Sequence, residues 1–173
     1  AEKEQAPVSK EKLSIAVLPF TNMSGDEEQE YFSDGMTEDL ITDVAKVSGL
    51  LVIARNSTFV YKGQSKDVRV IAKELGVRYV IEGSVRKAAG RVRINAQLID
   101  ALTGNHMLVE RYDRDFKDIF GLQDEVLGKI VEALKITLSI KEKRRLARHE
   151  TDNTEAYDLY LRGLQQESFF TKE

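Results

Sequence analysis

The spacing of hydrophobic positions changes twice along the chain, and each change marks a different kind of element. Ser14-Ile15-Ala16-Val17-Leu18 is a continuous apolar run closed by Pro19-Phe20. Such a run suits a strand covered on both faces by helices. From about Gln29 to Val47 the apolar residues Phe32, Met36, Leu40, Ile41 and Val44 follow helical spacing, after a turn at Ser24-Gly25-Asp26. Leu50 to Ala54 is a second compact strand. Val68, Ile71, Ala72 and Leu75 then line a short helix stopped by Gly76.

The period then becomes two. Val77, Tyr79, Ile81, Gly83 and Val85 form one row, and Val92, Ile94, Ala96 and Leu98 form another, with Ala88-Ala89-Gly90 between them. That predicts a hairpin, and Thr103-Gly104-Asn105 predicts another before a strand from about His106 to Tyr112. The pattern returns to helical from about Asp118, where Ile119, Leu122, Val126, Ile130, Leu134 and Leu138 share a stripe. Lys141 to Arg148 is a charged stretch. Asp152-Asn153-Thr154-Glu155 resembles a capping box opening a last helix with Ala156, Tyr157, Tyr160 and Leu161. The expected fold is α/β: a mixed five-stranded sheet flanked by helices, with a C-terminal helical extension.

Composition narrows the function classes. The chain has 173 residues, 26 basic and 29 acidic, for a formal net charge of -3. A duplex-binding surface usually carries a basic excess, so no nucleic-acid partner is expected. With no cysteine there is neither a disulfide nor a thiolate metal site. No apolar run approaches the roughly 20 residues of a membrane helix. The compartment, periplasmic or cytoplasmic, stays open.

No residue grouping demands catalysis, a metal or a cofactor. His106 and His149 are the only histidines, and neither sits at metal-ligand spacing from carboxylates. The acidic series Glu27, Glu28, Glu30, Asp34, Glu38 and Asp39 lacks the glycine bend of a calcium loop and suits a helix N-terminus instead. The basic run from Lys141 to Arg148 lacks interleaved aromatics. Arg55, Asn56 and Ser57 are the first candidate site, because they follow the carboxyl end of the second strand, where crevices open in α/β sheets. They offer a planar donor fork and neutral hydrogen bonds for a small anionic ligand or a partner. The alternative is an ordinary turn with Arg55 paired to an acid. Arg91, Arg93, Asn95 and Gln97 share the polar face of the fourth strand, of which Arg93 and Gln97 join the candidate list. That face can equally be plain solvated surface.

These segments together resemble a known family. Ser14 to Phe20 with Asn22-Met23-Ser24-Gly25-Asp26, then Phe32 to Leu40, and Val52 to Ser57, resemble the opening of the TolB-like amino-terminal domain. Leu75-Gly76-Val77-Arg78-Tyr79-Val80-Ile81-Glu82-Gly83-Ser84-Val85-Arg86 is similar to its most recognisable segment, followed by Val92 to Asp100 and Glu110 to Arg114. A tryptophan common in that family near Leu108 is absent here. The variant is similar to modules found downstream of bacterial adenylate or guanylate cyclase catalytic domains, and Thr151 to Gly163 resembles the first helix of a tetratricopeptide repeat. The resemblance implies residues 1–12 as linker, 13–142 as the TolB-like domain, and 143–173 as connector and truncated repeat. It implies a fold akin to anticodon-binding domains, without their tRNA function. It further implies a non-catalytic regulatory or interaction role, with a protein partner or the parent's own cyclase domain, possible self-association, and a membrane-anchored parent.

Overall fold

The computed structural model describes residues 12–135 and 153–170. The proposed linker, the basic run from Lys141 to Arg148, His149 and the far end of the Leu138 stripe lie outside them.

Five main strands form a mixed sheet, as the periodicity predicts. β1 (Leu13–Val17) sits between β3 (Leu50–Val52) and β4 (Tyr79–Ala88), parallel to both. β4, β5 (Arg91–Asp100) and β6 (Asn105–Asp115) then form an antiparallel meander, giving the order β3-β1-β4-β5-β6. A two-residue strand β2 (Thr21–Asn22), unseen in the pattern, adds to β4 through Thr21 opposite Ser84. It is too short for any periodicity to register. Ala89 and Gly90 both adopt positive φ, 51° and 73°, which closes the β4–β5 hairpin with the twist that paired strands favour.

α1 (Glu30–Ala45) joins β1 to β3, and α3 (Val68–Leu75) precedes β4. Crossovers between parallel strands are right-handed, so these two connections place their helices on opposite faces of the sheet. α1, α4 (Ile119–Ala133) and α5 (Thr154–Phe170) share the main core with Ile15, Val17, Ile81, Val85, Ile94 and Leu98. α3 covers a smaller second core around Ala16, Val80 and Ile71. Beyond α3, no helix among the described residues covers the second face of β4, β5 and β6, which carries the polar row of β5.

The segment after β3 departs from the expected loop. Arg55–Phe59 forms a short helix, α2, entered from extended Ala54. Thr58 is the residue that this helix buries, so the turn is tied down by one inward hydroxyl bonded to the Arg55 carbonyl at 3.1 Å.

Gly83 sits in the inward row of β4, opposite Ala96. The space above these two small residues is filled by the Phe20 ring, whose edge lies 3.0 Å from where a Gly83 Cβ would be. The Asn95 backbone oxygen stands closer still, so backbone and aromatic ring together leave no room for a side chain there. Thr37 of α1 fixes that ring from behind: its hydroxyl accepts from the Phe20 N–H at 3.0 Å and donates to the Ser33 carbonyl at 2.8 Å.

Candidate functional site

Glu30, Asp34 and Glu38 of α1, four residues apart and so on one face, reach partners on neighbouring elements. Glu30 and Asp34 hold the Lys62 ammonium at 3.1 and 2.6 Å. Burial works against that charge, but the two acids outweigh it and keep the Lys62 pKa above the ordinary lysine range. Glu38 accepts from Arg55 Nε at 3.1 Å, and the Arg55 guanidinium lies 3.9 Å over the Phe59 ring. Arg55 is therefore committed to Glu38 and Phe59, whereas Asn56 and Ser57 stand exposed on α2.

Arg93 and Gln97 are not brought to that cluster. Arg93 pairs with Asp113 across the β5–β6 ladder at 2.8 Å, and Arg91 bridges Asp113 and Asp115. Those pairs make a charged ladder at the hairpin end of the open face. Gln97 instead faces a cleft of about 520 Å³, between that face and the segment after α2. Register sets its floor: Ser84 opposes Asn95, and Glu82 opposes Gln97. Successive residues of a strand point to opposite faces, so all four project away from the main core. Tyr61, Lys62 and Lys66 form the other wall.

Partners on that wall are already taken. The Lys66 ammonium bonds Glu74, which also accepts from the Tyr61 hydroxyl at 2.7 Å. On the floor, the Asn95 amide donates to the Ser84 hydroxyl at 2.9 Å. Among the described residues, Glu82 and Gln97 have no hydrogen-bond or ion-pair partner. Burial lifts the Glu82 carboxyl above the ordinary glutamate range, and the charge of His106 offsets this only in part. Composition gave no hint of this cleft. Glu82 lies one residue from the glycine that the alternation singled out, but its place opposite residues 61–66 depends on the fold.

A second arrangement fastens α5 to the body on the other face. Lys87 of β4 ends 2.8 Å from Asp158 and lies 4.4 and 5.0 Å from the Phe116 and Phe32 ring centroids. The Tyr31 hydroxyl donates to the same carboxylate at 2.6 Å. Burial alone would push the Asp158 pKa up, but Lys87 and Tyr31 outweigh it and hold it below the ordinary range. One residue earlier, the Tyr157 hydroxyl bonds Asp39, and Gln123 of α4 donates to both, at 2.9 and 3.2 Å. Burial, then the neighbouring Asp39 charge, pushes the Tyr157 pKa well up. Asn153 caps the helix, accepting from the Glu155 and Ala156 N–H groups at 3.0 Å. The tail therefore docks through Tyr157 and Leu161, whereas Tyr160 is half exposed. The side chain of Leu164 lies outside the described residues.

No three metal-ligating side chains converge among the described residues. No described helix is long and apolar enough to cross a membrane.

A mixed sheet with a helical face, a half-open polar face and a docked terminal helix defines a TolB-like α/β domain. TolB from Acinetobacter baumannii superposes with a TM-score of 0.55 and 19% identity, over 71% of this chain and 28% of that one. The C-terminal domain of LpoB from Escherichia coli aligns at a TM-score of 0.47 and 16% identity, over 64% of this chain and 87% of that domain. The chain belongs to the family described as HilA/YgeH-like transcriptional regulator, second domain, whose model matches residues 10–133. It is 60% identical over 163 residues to "Putative adenylate cyclase 3" of Rhizobium meliloti (strain 1021). That match takes in 94% of this chain and 28% of the length of that protein.

Proposed function

We propose that this domain is a non-catalytic regulatory and protein-interaction module of a cyclase-type signalling protein. The carrying observation is the 60% identity to a cyclase-named protein of which the domain makes up 28%. The family's own description, a second domain of regulators, supports the same reading. The docked helix α5 supplies a physical route for regulation. Residues 13–142 would be the module, and α5 would open a helical repeat whose position the body fixes through Lys87, Tyr157 and Leu161. The partner is the cyclase portion of the same polypeptide or a separate protein. The exposed Asn56 and Ser57 beside Arg55, and the outer β6 strand with exposed Val109, are the contact surfaces on offer. A parent anchored in the inner membrane fits the same reading.

Cyclic nucleotide output tests it. The cyclase-named relative, with this segment deleted or replaced by the present chain, should show output altered severalfold on deletion and restored by replacement. The purified chain alone should form no cyclic nucleotide from ATP or GTP with magnesium or manganese. Unchanged output on deletion, or product formation that an acidic-pair mutation in this chain abolishes, refutes the proposal.

A ligand-sensing reading is favoured by the 520 Å³ cleft, whose size falls in the ordinary range for small-molecule sites. An anion at Arg55, Asn56 and Ser57 would first have to displace Glu38 from the guanidinium.

A further inference from the structure

The cleft has a charge pattern that selects its occupant. Of the four ionisable residues lining it, Tyr61 is bonded to Glu74, and Lys62 and Lys66 are each neutralised by acids outside the cavity, Glu30 and Asp34 for one and Glu74 for the other. Glu82 has no ion-pair or hydrogen-bonded counterpart among the described residues, and the His106 charge offsets its burial only in part. Its carboxyl is half-buried beside the Gln97 amide, with the Ser84 hydroxyl and Asn95 amide one register pair along the strands. A half-buried carboxylate without a bonded partner costs free energy that a bound cation would recover. The groups beside it are acceptors as well: the Gln97 carbonyl, the Asn95 carbonyl and the Ser84 oxygen.

We infer that this cleft binds a small organic primary amine, with its ammonium seated between Glu82 and Gln97 and its chain running along residues 61–66. An ammonium brings three donors and one positive charge, which matches one carboxylate flanked by neutral acceptors. An anion would meet Glu82, and a neutral polyol would leave that charge uncompensated. The inference rests on the regulatory reading only for its purpose, since a ligand held there would be the signal that the module senses.

Titration of the full 173-residue chain by amide NMR at fixed ionic strength tests it, with n-butylamine, which carries a single ammonium, as the probe and glucose and acetate as controls. Butylamine should give saturable shifts centred on Glu82, Ser84, Asn95 and Gln97, and the two controls should give none. Glu82→Gln should weaken binding about tenfold, the usual worth of one charge-assisted hydrogen bond. Glu132→Gln, an equal change of net charge at an exposed position of α4, should leave it unchanged. Should Glu82→Gln fail to fold, Gln97→Leu, at a half-buried position, should still weaken binding severalfold. Absence of saturable shifts, shifts with glucose or acetate in place of butylamine, or equal weakening by Glu82→Gln and Glu132→Gln would each overturn the inference. Such a failure would leave the regulatory reading standing, because that is judged on cyclase output.

Discussion

Replacing Gly35 by alanine puts two opposing effects on the same atom. Gly35 lies in the middle of α1, where alanine is intrinsically favoured by about 1 kcal/mol. A Cβ there, however, would stand 2.5, 2.8 and 3.0 Å from Cδ2, Cδ1 and Cγ of Leu161. Turning the two methyls away still leaves Cγ at 3.0 Å, so relief needs Leu161 to leave its packed position or α5 to move outward. Overpacking of this kind costs about 1–3 kcal/mol. The expected result is a body of unchanged or slightly raised stability carrying a loosened α5. Leu161→Ala should loosen α5 by about 2–5 kcal/mol, the usual range for emptying a buried leucine site. In the double variant the new methyl occupies part of the vacated volume, so the losses should add to less than their sum by at least about 0.5 kcal/mol. Hydrogen exchange at the amides of residues 155–163 reads this locally, because a helix this short keeps little protection once undocked. A thermal melt reads the body. If Gly35→Ala raises the melting temperature and leaves α5 exchange unaltered, the leucine does not sit on that glycine and the docking argument fails.

Three further outcomes follow from the same contacts. Gly83→Ala should destabilise the whole fold by about 1–3 kcal/mol or more in a chemical melt, since its Cβ would collide with the Asn95 backbone oxygen as well as Phe20. Arg55→Ala should cost under about 1 kcal/mol, because the side chains of the Arg55–Glu38 pair are 36% and 41% exposed. A loss of several kcal/mol would show a structural role larger than the contacts imply. The pH dependence of α5 docking should follow Asp158, whose side chain is only 18% exposed against Lys87. Its folded pKa lies below the unfolded value, so the unfolded state binds the proton more tightly. The contribution is thus full above about pH 4 and lost as pH falls through the depressed value. Asp39 acts in the opposite sense, since burial, only partly offset by Tyr157 and Gln123, raises its pKa and favours docking at lower pH. Protection of the α5 amides, taken as exchange relative to the intrinsic rate at each pH, should fall on acidification in the parent and not in Asp158→Asn. An equal fall in both would remove Asp158 as the cause.

What the sequence by itself determined was whatever repeats along it or is punctuated by a special residue. The alternating rows through Tyr79–Val85 and Val92–Leu98 fixed the meander, because one face of each strand must meet a core. Ala89-Gly90 and Gly76 fixed a hairpin and a helix end, because few residues accept a positive φ. The quoted motifs extended this to the TolB-like class of fold. The tertiary structure alone decided which polar residues meet. Lys87 and Asp158 are 71 residues apart, Gly35 and Leu161 are 126 apart, and neither pair leaves a periodic trace. Arg55 was legible as a candidate, but its commitment to Glu38 was not. Gln97 and Arg93 share one strand face, yet one opens on a cleft and the other closes a charged ladder with Asp113. The difference lies in what stands opposite: residues 61–66 for one, β6 for the other. Local pattern sets the face a side chain takes, and only the packing of distant segments sets what that face confronts.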